Sequence, residues 1–450
     1  MTAERVEEKV RETLRSVALD GVRAPEDLVE QVVRRRGRRR FSQAAGAAVA
    51  VAAVTAGAVF GFGGTGDGPE RSARPAASPE GWRPWQADVP EAGGRGCLVD
   101  GSALYCSGSK YDAAKFDAGT GKRLWTVKVN REGDGIDRPF AVRDGVVYAY
   151  RNHTAKNQPD GDYMGGTDLM AVDADNGDVL WWVKMPQDDR TGQAAMLING
   201  AVLANTPSLR TLSALDPRTG KEKWRHTWDR DTACQRAVLG GVPHLLCTRD
   251  TDEPHDTDVI RLDPVTGDAT KVTTVPGRQQ LLGASEDQLF LVRDRAVTDK
   301  NMLLTTVSSS GEQTSRTRRA DTGLATSEVV GDRLITVNRQ GRASVYSLTT
   351  GETLWSRPVG IELPGKGRAR GIAAPVVSTG QGVVYFFGPT GDLSGLDLRT
   401  GEQVWRGHVD TGEPGPGPRP GETSQVLLYG DVLITQKDGR LVSLLPRIDD

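Results

Sequence analysis

The chain has 450 residues, with 57 Lys and Arg against 59 Asp and Glu and 37% apolar residues. That length predicts two or three domains, and that apolar share excludes a polytopic membrane protein while leaving room for one span. Glycine fills 54 positions and tryptophan nine, against eight Tyr and eight Phe; without a collagen period or a low-complexity run, this predicts many tight turns between many short strands.

Residues 1–40 hold eleven Lys and Arg and eight Asp and Glu, leaving 46 against 51 for the remainder. Beyond residue 40 nothing reads as a basic nucleic-acid surface, so no nucleic-acid partner is expected. Val6, Val10, Leu14 and Val17 recur at helical spacing, which predicts a short amphipathic helix. Pro25, Glu26 and Asp27 read as the first turn of a second helix, which carries Leu28, Val29, Val32 and Val33 into six arginines between positions 34 and 40.

Residues 41–62 are predicted to form one transmembrane helix. No charge occurs between Phe41 and Gly66, and residues 44–62 are nineteen small or apolar side chains. At about 1.5 Å per residue they span roughly 28 Å, the hydrocarbon thickness of a bilayer. The arginines before the span orient it with residues 1–40 as a cytoplasmic tail and the rest extracytoplasmic at the cell membrane. A cleaved, secreted form is the alternative; a forty-residue tail is long for a signal peptide. Gly61, Gly63 and Gly66 formally spell G-x-G-x-x-G but end a span and open a Gly/Pro/Ser linker at 63–80, so no dinucleotide site follows. The first cysteine is Cys97, which excludes a lipid anchor before it.

Beyond residue 80 the chain repeats. Asp117-x-x-Thr120-Gly121-x-x-x-Trp125 returns as Asp173, Asn176, Gly177 and Trp181, as Asp216, Thr219, Gly220 and Trp224, and as Asp397, Thr400, Gly401 and Trp405. Weaker copies keep Asp263, Thr266 and Gly267, or Ser347, Thr350, Gly351 and Trp355; Gly311 marks a degenerate one and Gly81 to Trp85 a half-motif. The eight glycines lie 40 to 56 residues apart. A period near 45 with four strands per unit predicts a β-propeller. Asp and Thr bond turn amides, Gly takes the positive φ, and each Trp is expected to pack an outermost strand on the next blade. Earlier turns are predicted at Asp144-Gly145, Asn199-Gly200, Gly240-Gly241, Gly331-Asp332 and Gly430-Asp431. The chain ends on a third strand at 441–445, and the half-motif is a fourth strand lacking its first three. Pairing them predicts an all-β, eight-bladed propeller of four-stranded antiparallel blades over 81–450, closed by its two ends.

These copies, preceded by strands such as Leu212 to Leu215, resemble the PQQ-like (quinoprotein-type) β-propeller repeat over residues 81–450. WD40 is the rival, but the chain has one Trp-Asp dipeptide, Trp228-Asp229. The resemblance implies an enzymatic reading, a quinoprotein dehydrogenase with PQQ, Ca²⁺ and a vicinal disulfide. The sequence has no Cys-Cys pair, and no G-x-S-x-G, H-E-x-x-H or P-loop motif. Neither catalytic residues nor a cofactor are expected.

The four cysteines fall in two local pairs without a C-x-x-C. With turns at Gly101-Ser102 and Gly240-Gly241, Cys97 faces Cys106 and Cys234 faces Cys247 on non-hydrogen-bonded rungs, where Cα atoms lie closest. Two disulfides are predicted, in keeping with export.

In a propeller of this connectivity the two tight turns of each blade share one face. The insertions at 151–166, 186–193, 249–258, 361–371 and 410–422 fall on the other. The resemblance implies ligands or partners on that loop-rich face. His153, Lys156, Asp162 and Tyr163 occupy the longest insertion; Asp252, Glu253, His255 and Asp256 belong to an acidic run that lacks EF-hand spacing, so no metal is expected. His226, His244 and His408 lie in or beside predicted strands and read as packing residues. The expected function is that of a membrane-tethered, non-catalytic platform for an extracytoplasmic protein or small ligand. Its alternatives are the dehydrogenase and a sensor signalling through residues 1–40.

Overall fold

Tight turns rich in Gly, Asp and Asn separate short β-branched and aromatic runs, and chain of that kind folds into antiparallel hairpins. The computed structural model describes residues 73–88, 96–108, 111–128, 139–153, 166–186, 195–249, 255–285, 287–293, 301–319, 324–361, 372–410, 424–437 and 439–448. The expected tail, the span at 41–62 and the linker up to residue 72 lie outside these residues. Among those described there is no α-helix, and none is long and apolar enough to cross a membrane.

Among the described residues, thirty-two strands form eight four-stranded sheets. The first strand, β1 (Gln86–Asp88), belongs to the last blade. Blade 1 comprises β2 (Cys97–Asp100), β3 (Ala103–Cys106), β4 (Tyr111–Asp117) and β5 (Arg123–Lys128). Blade 2 comprises β6 (Ala141–Arg143), β7 (Val146–His153), β8 (Gly166–Asp173) and β9 (Val179–Lys184). Blade 3 is built from β10 (Ala195–Ile198), β11 (Ala201–Asn205), β12 (Thr211–Leu215) and β13 (Glu222–Thr227). Blade 4 holds β14 (Thr232–Leu239), β15 (Val242–Arg249), β16 (Thr257–Leu262) and β17 (Ala269–Val275). Blade 5 follows with β18 (Gln279–Ala284), β19 (Gln288–Arg293), β20 (Asn301–Ser308) and β21 (Gln313–Arg319). Blade 6 has β22 (Leu324–Val330), β23 (Arg333–Asn338), β24 (Arg342–Ser347) and β25 (Thr353–Pro358). Blade 7 contains β26 (Val376–Ser378), β27 (Val383–Phe387), β28 (Asp392–Asp397) and β29 (Gln403–His408). Blade 8 joins β30 (Gln425–Tyr429), β31 (Val432–Lys437) and β32 (Arg440–Leu444) to β1.

The ring closes as its sequence requires: Gln86 pairs with Val442, Ala87 with Leu441 and Asp88 with Arg440. The closing strand starts one residue after Trp85, whose carbonyl accepts from Ser443 N at 2.9 Å. All five two-residue turns hold the expected register, for example Arg143 with Val146 across Asp144-Gly145. Asp144 and Gly145 have φ of 50° and 75°, the conformation whose twist matches the flanking strands.

Each repeat Asp organises its turn. Asp216 Oδ1 accepts from Arg218 N (3.1 Å), Thr219 N (2.9 Å) and Thr219 Oγ1 (2.9 Å), and Gly220 N closes on Asp216 O. These donors, the Thr219 hydroxyl first, hold the Asp216 carboxyl below its ordinary value.

The tryptophan of one blade covers the glycine of the next. Cβ atoms built on Gly121, Gly177, Gly220, Gly267 and Gly401 would lie within 3.0 Å of Trp85, Trp125, Trp181, Trp224 and Trp355 respectively. Each indole N–H donates across the same joint, to the carbonyls of Ala118, Ala174, Pro217, Pro264 and Leu398, at 2.9 to 3.1 Å. Gly and Trp are thus two halves of one lock between neighbouring blades. Three of the eight repeat glycines depart from the expected scheme. Gly311 faces Val272, because Lys271 stands where the repeat has Trp; blade 5, which precedes Gly351, has Ser315 at the Trp position; and Gly81 has no heavy atom near its Cβ position. Trp405 therefore has no repeat glycine beneath it. It meets Tyr385 edge-on at 5.9 Å and folds over Gly407 of its own strand.

Both disulfides are present, Cys97–Cys106 and Cys234–Cys247, each with Cα atoms 4.1 Å apart. Each closes a short hairpin loop, so loop-closure entropy assigns roughly 3 kcal/mol to each. Replacing Cys234 and Cys247 together by alanine is expected to lower unfolding free energy by about 2–3 kcal/mol, read by urea titration. An unchanged midpoint would show that the β14–β15 hairpin needs no covalent closure.

The stretch read as linker is, from Ala73 onward, seated on the ring. Ala73 N donates to Asp397 Oδ2 (2.8 Å), Arg74 N to Gln381 O (2.8 Å) and Ala77 N to Asp431 Oδ2 (3.0 Å). Residues 73–79 thus cross the tight-turn ends of blades 7 and 8.

Candidate functional site: the loop-rich face

Strand alternation places the turns between first and second and between third and fourth strands on one face. The connections between second and third strands, and those between blades, emerge on the other. The expected insertions leave from β7, β9, β15, β25 and β29, all at that second face.

At the foot of the longest insertion, the ends of β7 and β8 bring charges together inside the protein. Arg151 pairs in register with Asp168 across the strands, and its Nε donates to Asp112 Oδ2 of blade 1 at 3.0 Å. Asp112 and Asp168 are each 3% exposed. A buried carboxylate is tolerated when an opposite charge is hydrogen-bonded to it, and the Arg151–Asp112 pair thereby ties blade 1 to blade 2 at the ends of β4 and β7. Sequence reading passed over it, since Asp112 and Arg151 lie 39 residues apart and no motif joins them.

Of the residues singled out in that insertion, His153 ends β7, while Lys156, Asp162 and Tyr163 lie outside the described residues. Asp252 and Glu253 of the acidic run also lie outside them. Asp256 is exposed and accepts from Gly277 N at 2.8 Å; His255 is half-buried beside it. Asp258 is engaged by Lys271 Nζ (2.7 Å) and Thr274 Oγ1 (2.8 Å). Among the described residues no three His, Cys, Asp or Glu side chains are placed to hold a metal. Both disulfides join facing strands, and neither joins adjacent residues.

His408, at the end of β29, bonds Asp392 Oδ1 through Nδ1 at 2.8 Å. The Thr390 hydroxyl, followed by His408, holds the Asp392 carboxyl below its ordinary value. His244 in β15 is a packing residue of a demanding kind. Its Nδ1–H donates to Val242 O (3.0 Å), leaving Nε2 buried without a hydrogen-bond partner. Burial lowers its pKa. The unfolded chain therefore takes up a proton near pH 6.5 that the folded chain refuses, so stability falls as pH drops below about 6.5. Substituting His244→Leu is expected to flatten the fall in unfolding free energy between pH 7.5 and 5.5 by up to about 1.4 kcal/mol per pH unit. An unchanged slope would assign the acid sensitivity elsewhere.

The channel-side strands are stitched by two glutamines. Gln425 in β30 donates from Nε2 to Cys97 O (2.8 Å) and accepts at Oε1 from Cys97 N (2.7 Å), so its amide imitates a neighbouring strand. Gln235 in β14 does the same for Gln279 O and Leu281 N of β18. At the outer rim, Trp182 in β9 is 52% exposed.

Eight four-stranded blades, several of them carrying D-x-x-T-G-x-x-x-W turns, with their long connections on one face, define a PQQ-like β-propeller. The chain belongs to the family whose model is described as outer membrane protein assembly factor BamB, matched over residues 75–237, 109–311 and 255–444. No curated protein sequence matches it. In structure it is similar to BamB from Moraxella catarrhalis, at 15% identity and a TM-score of 0.50, covering 80% of this chain and 98% of that one. It is also similar to the quinohemoprotein alcohol dehydrogenase ADHIIG from Pseudomonas putida HK5, at 12% identity and a TM-score of 0.52, covering 82% and 76%. Identities this low speak for the fold alone.

Proposed function

We propose that this protein is a membrane-tethered extracytoplasmic propeller whose loop-rich face is a non-catalytic docking platform for a protein partner. The observation that carries the reading is the segregation of every expected insertion to one face of a closed, doubly disulfide-bonded ring. Rigid scaffolds that project variable loops from one side recognise partners through those loops. The family description, an outer membrane protein assembly factor, supports a partner that is a protein. The charge-free stretch after the arginines supports the tether.

The test places photo-crosslinking side chains in the full-length protein in cells, at Arg230 and His255 on the loop-rich face and at Val265 on the opposite one. Adducts of defined mass from the first two positions and none from Val265 are expected. Adducts from Val265 alone would move the platform to the other face. Dye-linked alcohol or sugar oxidation by purified protein given PQQ and Ca²⁺ would overturn the non-catalytic reading.

A further inference from the structure

Residues 73–79 lie against the tight-turn ends of blades 7 and 8. They enter at Asp397, the repeat aspartate of blade 7, pass Gln381 in the first turn of that blade, and reach Asp431 in the first turn of blade 8. Asp431 is a shared anchor: Oδ2 accepts from Ala77 N at 3.0 Å and Oδ1 from Ser378 Oγ at 2.9 Å. Pro79 then lies over Gly430, at 3.2 Å from its Cβ position, and Ala73 packs on the core shared by blades 7 and 8. All these contacts lie on the tight-turn face. Ten residues, 63–72, separate this strap from the end of the expected span. Fully extended they reach at most roughly 36 Å.

We infer that the strap is an orienting device: it turns the tight-turn face of the ring toward the lipid surface and presents the loop-rich face away from it, to a partner reaching in from the extracytoplasmic side. The inference rests on the tethered reading proposed above. Its physical basis is where the chain leaves the ring. A tether attached at the rim by one bond would let the ring tumble. Three backbone hydrogen bonds along seven residues, on one face and across two blades, fix the exit direction instead. Strands of six residues make the ring about 20 Å deep, so the two faces stand at clearly different heights above the bilayer.

The experiment uses the full-length chain in vesicles of phosphatidylethanolamine and phosphatidylglycerol carrying a headgroup-linked energy acceptor. A donor dye is attached through an unnatural amino acid at Val265, an exposed tight-turn position, or at Asp231, an exposed position between β13 and β14 on the loop-rich face. Transfer efficiency from Val265 is expected to exceed that from Asp231 at least twofold, and Asp431→Ala to shrink that difference without releasing the protein from the vesicles. Equal transfer, or greater transfer from Asp231, with the protein still vesicle-bound overturns the orientation alone. Recovery of the intact chain free of vesicles overturns the tether and the orientation together. A wild-type difference unaffected by Asp431→Ala and by Pro79→Gly would remove the strap as its cause.

Discussion

Trp181→Ala is expected to lower unfolding free energy by about 3–5 kcal/mol, the range for deleting a buried tryptophan. The loss has two parts. The indole is 8% exposed and closes on Gly220, and its N–H donates to Pro217 O at 2.9 Å, so truncation leaves a cavity and an orphaned carbonyl at the blade 2–blade 3 joint. Gly220→Val should cost a comparable amount from the other side of the lock, because its Cβ would fall 2.7 Å from the indole and its φ is +67°. Trp405→Ala is the internal comparison. Its ring is half-buried and lies over no repeat glycine, so roughly half the loss is expected. Equilibrium denaturation of the three variants decides the matter. Equal losses at 181 and 405 would mean that the indole contributes through its own blade and not through the lock.

The second large effect is expected at the ring closure, where Gln425→Ala should cost about 2–4 kcal/mol. The side chain satisfies both Cys97 N and Cys97 O, and Cys97 is fully buried, so its removal leaves two backbone groups without partners. The site matters as much as the bonds. Blade 8 takes its fourth strand from the other end of the ring, β1 pairing with β32 over three residue pairs and Ser443 N donating to Trp85 O. Amides of residues 86–88 and 440–444 should therefore exchange at least tenfold faster in Gln425→Ala than in the parent. The matched change Gln235→Ala breaks a similar stitch between blades 4 and 5, but inside a covalently continuous stretch. It should speed exchange at its own joint and leave residues 86–88 protected. Faster exchange at the closing strand in both variants would show that the ring loosens as one unit.

Much of the architecture could be read in advance because a propeller repeats its turns. The glycine at 220 and the tryptophan at 224 mark one hairpin, and their return near every 45 residues implies a ring. The disulfides were legible for a related reason. Hairpin register is set by the turn, so Gly240-Gly241 determines that Cys234 faces Cys247, and the strands show that pairing. The candidate site was less legible. Its face followed from strand alternation, but the Asp112–Arg151 pair joins two blades, and contact between blades leaves no local pattern in sequence. The seating of residues 73–79 was hidden by composition, since Ala, Pro and Ser serve equally in a loose linker and in a strap held by backbone N–H groups.

Sequence alone therefore determined the number of blades, the turns, the closure and the two disulfides, each being a matter of short-range periodicity and register. Only the tertiary structure decided which glycine each repeat tryptophan covers, that Trp405 covers no repeat glycine, that two glutamines stand in for backbone between neighbouring strands, and where the incoming chain lies on the ring. Those are contacts between residues tens to hundreds of positions apart. They are set by how blades pack side by side, and that packing depends on shape and unsatisfied hydrogen-bonding groups that no local run of residues encodes.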